Sequence, residues 1–218
     1  MSTRQDVIER IQEFVKKKFS SEGSGHDYWH IHRVWRLAMH IAQKVNADIF
    51  VVQLGALLHD VGDWKLEKPG ELPGHIQARQ LLTSLHVEDL IIEHVTEIMQ
   101  TISFKGASVP TPMKTLEGKV VQDADRLEAL GAIGIARAFT YGGSRGRLIH
   151  SPEEKPVIHK TEKEYKNHIG TSINHLYEKS LHLKDLMNTV VARELAEKRD
   201  AFTRAFLMQF QREYLIEL

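Results

Sequence analysis

Apolar residues recur every three or four positions along nearly the whole chain, a spacing that places them on one side of an α-helix. One such stripe contains Val34, Leu37 and Ile41, and its N-terminal continuation is His30. Segments in which polar and apolar residues alternate, as they do in half-buried strands, are few. The sequence therefore predicts an all-α protein in which His30 faces the core.

Glycine, proline and capping residues divide this pattern into separate helices. Ser2 and Gln5 form a candidate capping box for the first helix, which the glycine- and serine-rich segment 20–25 ends. Asp48 is the expected cap of the third helix. In chain order after the first, the helices are predicted at 26–45, 48–58, 73–85, 87–102, 115–141, 161–181 and 184–215.

The connections and the length indicate how the chain is organised. Segments 103–114 and 142–160 contain the prolines and glycines that are typical of loops. A chain of 218 residues suits one globular domain. We expect a single domain over residues 1–218, with its core at about 20–140 and long C-terminal helices at about 161–215.

The charge balance and the lack of cysteine exclude several classes of function. The 29 basic residues cancel the 29 acidic ones, so nothing favours a nucleic-acid polymer or an anionic membrane as a partner. Without cysteine, a metal site must use histidine and carboxylate ligands. No stretch is apolar over the length that spans a bilayer, and the N-terminus does not resemble a signal peptide. We therefore expect a cytoplasmic protein.

The pair His59-Asp60 stands at the end of an apolar helix. A His-Asp pair on its own is common, and a buried histidine held by a neighbouring carboxylate explains most examples. Here a cluster of histidines lies upstream at 26–32 and a cluster of aspartates lies downstream at 123–125. Convergence of these three segments on one metal ion is the simplest joint explanation.

Periodicity indicates which histidine of the 26–32 cluster faces the core, but it does not decide which aspartate of the 123–125 cluster does. His30 continues the apolar stripe of its helix, His26 shares its face as a candidate helix cap, and His32 points elsewhere. Asp123 and Asp125 each share a side with apolar residues. We therefore expect His30 to be a ligand, together with one of the two aspartates.

These motifs resemble those of the HD-domain superfamily of metal-dependent phosphohydrolases, in which a histidine, a His-Asp pair and a distant aspartate bind the metal. The resemblance covers most of the chain and is closest to a bacterial subgroup that includes nucleotide pyrophosphohydrolases. It implies an HD-type helical bundle with a C-terminal extension of long helices. It also implies that His30, His59, Asp60 and Asp125 bind one divalent ion, for which manganese, magnesium, iron, cobalt, nickel and zinc are candidates.

The same resemblance implies hydrolysis of a phosphoester or phosphoanhydride bond in a small phosphorylated substrate, expected to be a nucleotide. One reaction of the subgroup converts a nucleoside or deoxynucleoside triphosphate into the monophosphate and pyrophosphate. Asp63, which follows the His-Asp pair closely, is the expected general base. Candidate substrate-binding residues lie in or beside the matching stretches: Lys65, His94, Lys105 and Arg126.

Several alternatives stay open. Some HD-like proteins bind two irons and oxidise their substrates, using extra histidines in an interval that here contains His75, His86 and His94. Others have lost their ligands and act as signalling modules, whereas all four ligand positions are filled here. Association as a homodimer is a further open question. The sequence assigns no role to three other features: Asn174, His175 and the 142–160 loop.

Overall fold

The fold is built from α-helices joined by loops and short turns. The computed structural model describes residues 3–63 and 70–216, and these residues contain no strand. The α-helices are α1 (Arg4–Lys18), α2 (Tyr28–Val45), α3 (Ile49–Leu58), α4 (Gly74–Ser84), α5 (Asp89–Thr101), α6 (Leu116–Leu127), α7 (Gly131–Ser144), α8 (Glu162–Asn167), α9 (Ser172–His175), α10 (Leu181–Leu183) and α11 (Val190–Leu215). A π-helical turn, Leu176–Ser180, joins α9 to α10, and a 3-10 turn, Lys184–Leu186, follows α10. The prediction of an all-α bundle with a long C-terminal helix is confirmed.

The chain forms two compact units. The first comprises Met1–Glu22, His26–Ser103 and Thr111–Asp125, and the second comprises Gly23–Gly25, Phe104–Pro110 and Arg126–Leu218. The single domain expected over residues 1–218 stays a prediction. No helix in the described part of the chain combines the length and the apolar character needed to cross a membrane.

In the first unit, α3 is the central helix. All of its residues except Ile49 and Gln53 are buried, and it packs against α1, α2 and α5. At Gly55 the neighbouring helices approach so closely that a Cβ would lie 3.2 Å from the Val121 side chain and 3.7 Å from that of Ile98. Because α3 is almost wholly enclosed, the residues that directly follow it are also held in the interior of this unit.

In the second unit, α11 packs along α7 and the π turn. The buried core takes one apolar residue from each of α7, α9, the π turn and α11: Ile135, Ile173, Leu176 and Leu207. Aromatic residues pack against this core, with the rings of Phe139 and Phe206 edge to face at 6.0 Å. This packing fixes the π turn against the long C-terminal helix.

The capping box of α1 lies one residue later than predicted. Thr3 Oγ1 accepts a hydrogen bond from the Asp6 amide at 3.2 Å, and Asp6 Oδ2 accepts one from the Thr3 amide at 2.8 Å. Thr3 and Asp6 are also a threonine and an acidic residue at the spacing of a capping box. The observed box is thus Thr3 with Asp6, and Ser2, which was predicted as the cap with Gln5, lies outside the described residues.

The single helix predicted over 115–141 is two helices. Gly131 opens α7 with a φ of +69°, a left-handed conformation that favours glycine. Its amide donates to the Thr203 hydroxyl at 3.0 Å, and Arg199 donates to the Leu127 carbonyl at 2.6 Å. Polar contacts from α11 thus satisfy the end of α6 and the start of α7, and the prediction of a continuous helix was wrong.

Three further boundary errors lie in the second unit. Gly142 was predicted to begin a loop, but α7 continues through it to Ser144, and a Cβ at Gly142 would lie 2.1 Å from Ser172 Oγ. The helix predicted over 161–181 is interrupted before α9, which Thr171 caps by accepting from the Asn174 amide at 3.1 Å. The helix predicted over 184–215 begins with the 3-10 turn, and α11 starts only at its Thr189 cap.

Candidate metal centre

His30 lies in the first turn of α2, and its ring is fully buried. Asp27 caps this helix, since its Oδ1 accepts a hydrogen bond from the His30 amide at 2.8 Å. This cap explains why α2 begins at Tyr28 and not at His26 as predicted. His26 is itself buried, with its ring 5.9 Å from that of His30 and nearly perpendicular to it. The cap fixes the backbone that carries the His30 ring into the first unit.

His59 and Asp60 follow the last residue of α3, and both are buried. Nδ1 of His59 lies 2.8 Å from the carbonyl oxygen of Ala56. Because a carbonyl can only accept a hydrogen bond, Nδ1 carries the proton of the neutral ring, and Nε2 has a lone pair available. This is the tautomer in which Nε2 can bind a metal ion.

Four side chains converge at this point. Nε2 of His59 is 3.3 Å from Nε2 of His30. The Asp60 carboxylate faces both rings, with Oδ2 3.3 Å from the His30 nitrogen and Oδ1 3.4 Å from the His59 nitrogen. Asp125, near the end of α6, places Oδ1 at 3.7 Å and 3.8 Å from the same two nitrogens. The structure thus brings together the four residues that the sequence motif predicted as ligands.

These separations suit donor atoms around one ion. Bonds of about 2.0–2.2 Å place the ligand atoms of a tetrahedral ion about 3.4 Å apart and those of an octahedral ion about 3 Å apart. Oδ2 of Asp60 is buried, and within residues 3–63 and 70–216 no hydrogen bond satisfies it. A bound cation would satisfy this oxygen. Two imidazoles and two carboxylates form a donor set that fits a divalent ion.

The electrostatics of the centre keep Asp60 ionised. Burial raises the pKa of the Asp60 carboxyl, but the His59 and His30 rings, when they are protonated, outweigh this effect and hold the pKa well below its ordinary value. At neutral pH this ligand therefore has no proton to lose before it binds a cation.

The predicted general base, Asp63, and two predicted substrate-binding residues, Lys65 and His94, belong to the part of the sequence that forms the first unit. Asp63 is half-buried, and its amide donates to the Asp60 carbonyl at 3.2 Å, which closes a turn just after the ligand pair. His94 lies on α5, with Nε2 2.8 Å from the Thr115 hydroxyl. Lys65 lies outside the described residues. The roles expected for these side chains stay predictions.

Two candidate substrate-binding residues belong to the second unit. Lys105 forms an ion pair with Glu162, with Nζ 3.2 Å from Oε2. Arg126 is buried and donates to the carbonyl of Leu186. Both side chains therefore have protein partners in the second unit, and their expected roles with substrate stay predictions.

Sequence reasoning missed a cluster of side chains of the types that can bind a metal ion. His159, His168 and Glu178, in the second unit, each offer a donor atom, and these atoms all lie within 4.8 Å of one another. The two histidines are on irregular segments and the glutamate is in the π turn. Because none of these segments has a regular α-helical period, the sequence pattern gives no signal that the three side chains meet.

Comparisons with known proteins agree with the motif. A sequence model of the HD domain matches residues 28–130, a stretch that contains His30, His59, Asp60 and Asp125. The Bacillus subtilis protein YpgQ is 37% identical over 207 residues, which cover 94% of this chain and 92% of YpgQ. The similarity to this relative therefore extends well beyond the matched HD stretch.

Solved structures resemble the chain over nearly its whole length. A crystal structure of a Lactobacillus plantarum protein is 36% identical, with a TM-score of 0.89 and complete coverage of both chains. The structure of YpgQ in complex with ADP is 35% identical, with a TM-score of 0.75, and covers 94% of this chain and 97% of YpgQ. An HD-superfamily hydrolase from Bacillus thuringiensis is 40% identical, with a TM-score of 0.73, and covers 97% of this chain and 98% of that hydrolase. This chain therefore belongs to the HD-domain superfamily, whose domains bind divalent metal ions.

Proposed function

We propose that this protein is a divalent-metal-dependent phosphohydrolase that cleaves a phosphoester or phosphoanhydride bond of a nucleotide-like substrate. The observation that carries the proposal is the convergence of His30, His59, Asp60 and Asp125, with donor atoms 3.3–3.8 Å apart. Membership of the HD superfamily and similarity to an HD-superfamily hydrolase support the reaction class.

The four residues are the proposed ligands of one ion. When bound, a divalent ion polarises a phosphoryl oxygen and lowers the pKa of a coordinated water. Two carboxylates and two neutral imidazoles balance the charge of the ion, so an anionic phosphate can approach without repulsion from excess negative charge. Four protein donors also leave positions for water and substrate at a six-coordinate ion.

Asp63 is the proposed general base. The turn closed by its amide on the Asp60 carbonyl fixes the main chain three residues after a ligand. A carboxylate on this turn can take a proton from an attacking water, provided that it comes within about 2.6–3.2 Å of that water once substrate is bound. Asp63→Asn would then reduce kcat far more than it changes metal content.

The substrate is proposed to be a nucleotide, and the supporting observation is the ADP bound to YpgQ. A nucleotide agrees with the cytoplasmic location expected from the sequence. Hydrolysis of a nucleoside triphosphate to the monophosphate and pyrophosphate is the reaction to test first. We propose four side chains for contact with the substrate: Lys65, His94, Lys105 and Arg126.

A hydrolysis panel tests the proposal directly. Metal-stripped protein is resupplied with manganese, magnesium, cobalt or zinc and given nucleoside mono-, di- and triphosphates, and the products are separated to distinguish pyrophosphate from phosphate. We expect metal-dependent turnover that His59→Ala abolishes. His40→Ala is the matched control, because His40 is an exposed histidine of α2. Turnover that is independent of added metal, or equal in His59→Ala and wild type, would refute the proposal.

The two-iron alternative finds no support in the positions of the extra histidines. Within the described residues, the cluster of potential ligands in the first unit is His30, His59 and Asp60, with Asp125 beside it, and His94 instead contacts Thr115. The same metal-stripped protein, reloaded with ferrous iron and monitored for oxygen consumption, separates the two chemistries. A binding-only signalling role would show neither turnover nor oxygen uptake.

A further inference from the structure

In the segment around His159, a polar side chain is buried while the neighbouring apolar side chains are exposed. Val157 and Ile158 are 45% and 44% exposed, whereas the polar His159 that follows them is 4% exposed. Lys160 on its other side is exposed as well. An imidazole that is buried in place of two adjacent aliphatic side chains needs a polar reason to be inside.

The polar surroundings of His159 are a histidine and a glutamate. His168 Nε2 lies 3.4 Å from Glu178 Oε1, and the rings of His159 and His168 are 4.7 Å apart. Glu178 is 4% exposed, and its Oε1 also accepts a hydrogen bond from the Val157 amide at 2.9 Å. The carboxylate is thus anchored to the segment that carries His159.

Each of the two imidazoles has a buried nitrogen without a hydrogen bond to any described residue. Nε2 of His159 and Nε2 of His168 have no hydrogen-bond partner within the described residues, although the His168 atom faces Glu178 as an ion-pair contact. Space for the His168 ring depends on Gly170, where a Cβ would lie 2.6 Å from its Nε2 and 3.6 Å from Glu178 Oε1. The backbone therefore leaves room for this arrangement of rings and carboxylate.

We propose that His159, His168 and Glu178 form a second metal site, which binds a divalent transition-metal ion such as Zn²⁺ independently of the HD centre. Two imidazoles and one carboxylate are a common donor set for such ions, and they leave a fourth position for water. A tetrahedral ion with bonds of about 2.0–2.2 Å separates its ligand atoms by about 3.4 Å. His168 and Glu178 already have this separation, and the three donor atoms all lie within 4.8 Å of one another.

A metal-free explanation accounts for only part of the arrangement. A protonated His168 paired with Glu178 would satisfy His168 and the carboxylate, but it would leave the buried Nε2 of His159 without a partner. An ion bound by Glu178 and by Nε2 of both histidines would satisfy both nitrogens together. It would also tie the largely exposed segment 152–167 to the π turn, which is packed in the core of the second unit.

The test is metal stoichiometry, measured by equilibrium dialysis against Zn²⁺ followed by elemental analysis. We expect two ions per wild-type chain, one in His59→Ala and one in His159→Ala. Glu178→Gln should also hold one ion, because glutamine keeps the acceptor for the Val157 amide and removes the charge of the ligand. His182→Ala, a histidine of α10 outside the group, should retain two.

A spectroscopic measurement separates the second site from the first. In the His59→Ala background, Co²⁺ should give visible ligand-field absorption that the added Glu178→Gln substitution removes, with circular dichroism used to check that both variants are folded. EDTA should lower the Tm of His59→Ala but not that of the double variant. A wild-type chain that binds one ion, lost in His59→Ala, would overturn the proposal, and so would two ions retained in both His159→Ala and Glu178→Gln. Neither readout depends on the phosphohydrolase activity.

Discussion

Directly after His59-Asp60, the main chain packs closely against the start of α4 at two glycines. This close contact gives a specific prediction about the stability of the protein. Gly62 has a φ of +67° and packs against Gly74, the first residue of α4. A Cβ on Gly74 would lie 1.7 Å from the carbonyl oxygen of Val61, and a Cβ on Gly62 would lie 2.4 Å from the main chain of Gly74. The start of α4 can therefore approach the end of the His59-Asp60 turn only if both positions lack a side chain.

The size of the effect of Gly74→Ala follows from this geometry. Real Cβ atoms essentially never come closer than 3.0 Å to such an atom, so the two segments must separate by more than about 1 Å. Overpacking of this kind costs about 1–3 kcal/mol, and a clash between main-chain segments belongs at the upper end. Alanine recovers about 0.4–1 kcal/mol by reducing the conformational entropy of the unfolded chain. We expect a net loss of about 2 kcal/mol, which lowers the Tm of a chain of this size by about 4–8 °C.

Thermal unfolding of purified variants measures this loss. Gly143→Ala is the matched control, because Gly143 is an exposed helical glycine with open space around its Cβ position, and alanine there should raise the Tm slightly. Since Val61 directly follows Asp60, Gly74→Ala should also weaken Zn²⁺ binding at the HD centre, as measured by dialysis. A Gly74→Ala protein as stable as Gly143→Ala would refute the reasoning from close approach.

Three further predictions concern the metal centre and its support. Dialysis against EDTA should abolish hydrolysis and added Mn²⁺ should restore it, with His59→Ala inactive under both conditions. Asp60→Asn should weaken metal binding more than Asp125→Asn does, because Asp60 is buried and lies nearer both imidazoles. Competition with a metal indicator should show that each substitution lowers the affinity for the metal at least about tenfold. A larger loss in Asp125→Asn than in Asp60→Asn would contradict the assignment. Asp27→Ala should cost about 1 kcal/mol and lower the Tm by about 2–4 °C, whereas Asp27→Ser should keep the cap and most of the stability.

The parts of the fold that were predictable are those in which one helix face decides the outcome. The stripe that ends at His30 and the apolar run before His59 are local patterns, and both residues are buried as those patterns require. Periodicity could not choose between Asp123 and Asp125, and burial shows why. Asp123 is fully buried, whereas the Asp125 side chain is 32% exposed and yet contacts both imidazoles. A side chain that faces a partly open site, as the proposed ligand Asp125 does, does not have to follow the apolar side of its helix.

The missed break between α6 and α7 depends on residues distant in sequence, whereas the missed start of α2 depends on the local cap Asp27. Gly131, with its left-handed backbone, is a local signal for a break between α6 and α7, but Glu128 and Leu130 are good helix formers and a single glycine does not force a break. The hydrogen-bonding groups at the break are satisfied by α11: Arg199 donates to the Leu127 carbonyl, and Thr203 accepts from the Gly131 amide. A periodicity analysis that uses a window of about 15 residues cannot detect hydrogen bonds between residues about 70 positions apart in the sequence. The same limit applies to the start of α9, where the amides of Ser172 and Ile173 donate to the carbonyls of Leu148 and Ile149.

The His159 group shows what kind of site escapes a sequence pattern and what kind of observation recovers it. The HD centre has two adjacent candidate ligands at the end of an apolar helix, so the amino-acid sequence by itself carries a signal for it. His159, His168 and Glu178 have no fixed spacing on a regular helix, and the exposed Val157 and Ile158 make the region look like an ordinary loop. The cluster is indicated only by the burial of a polar ring beside two exposed aliphatic side chains, with ring nitrogens that no described residue satisfies.

Because burial of an unpaired polar atom is costly, the His159 group should lose its order when the ion is removed, whereas a solvated loop would not change. Protease cleavage within segment 152–167 of His59→Ala, compared with and without EDTA, would therefore distinguish a metal-held segment from a simple connector.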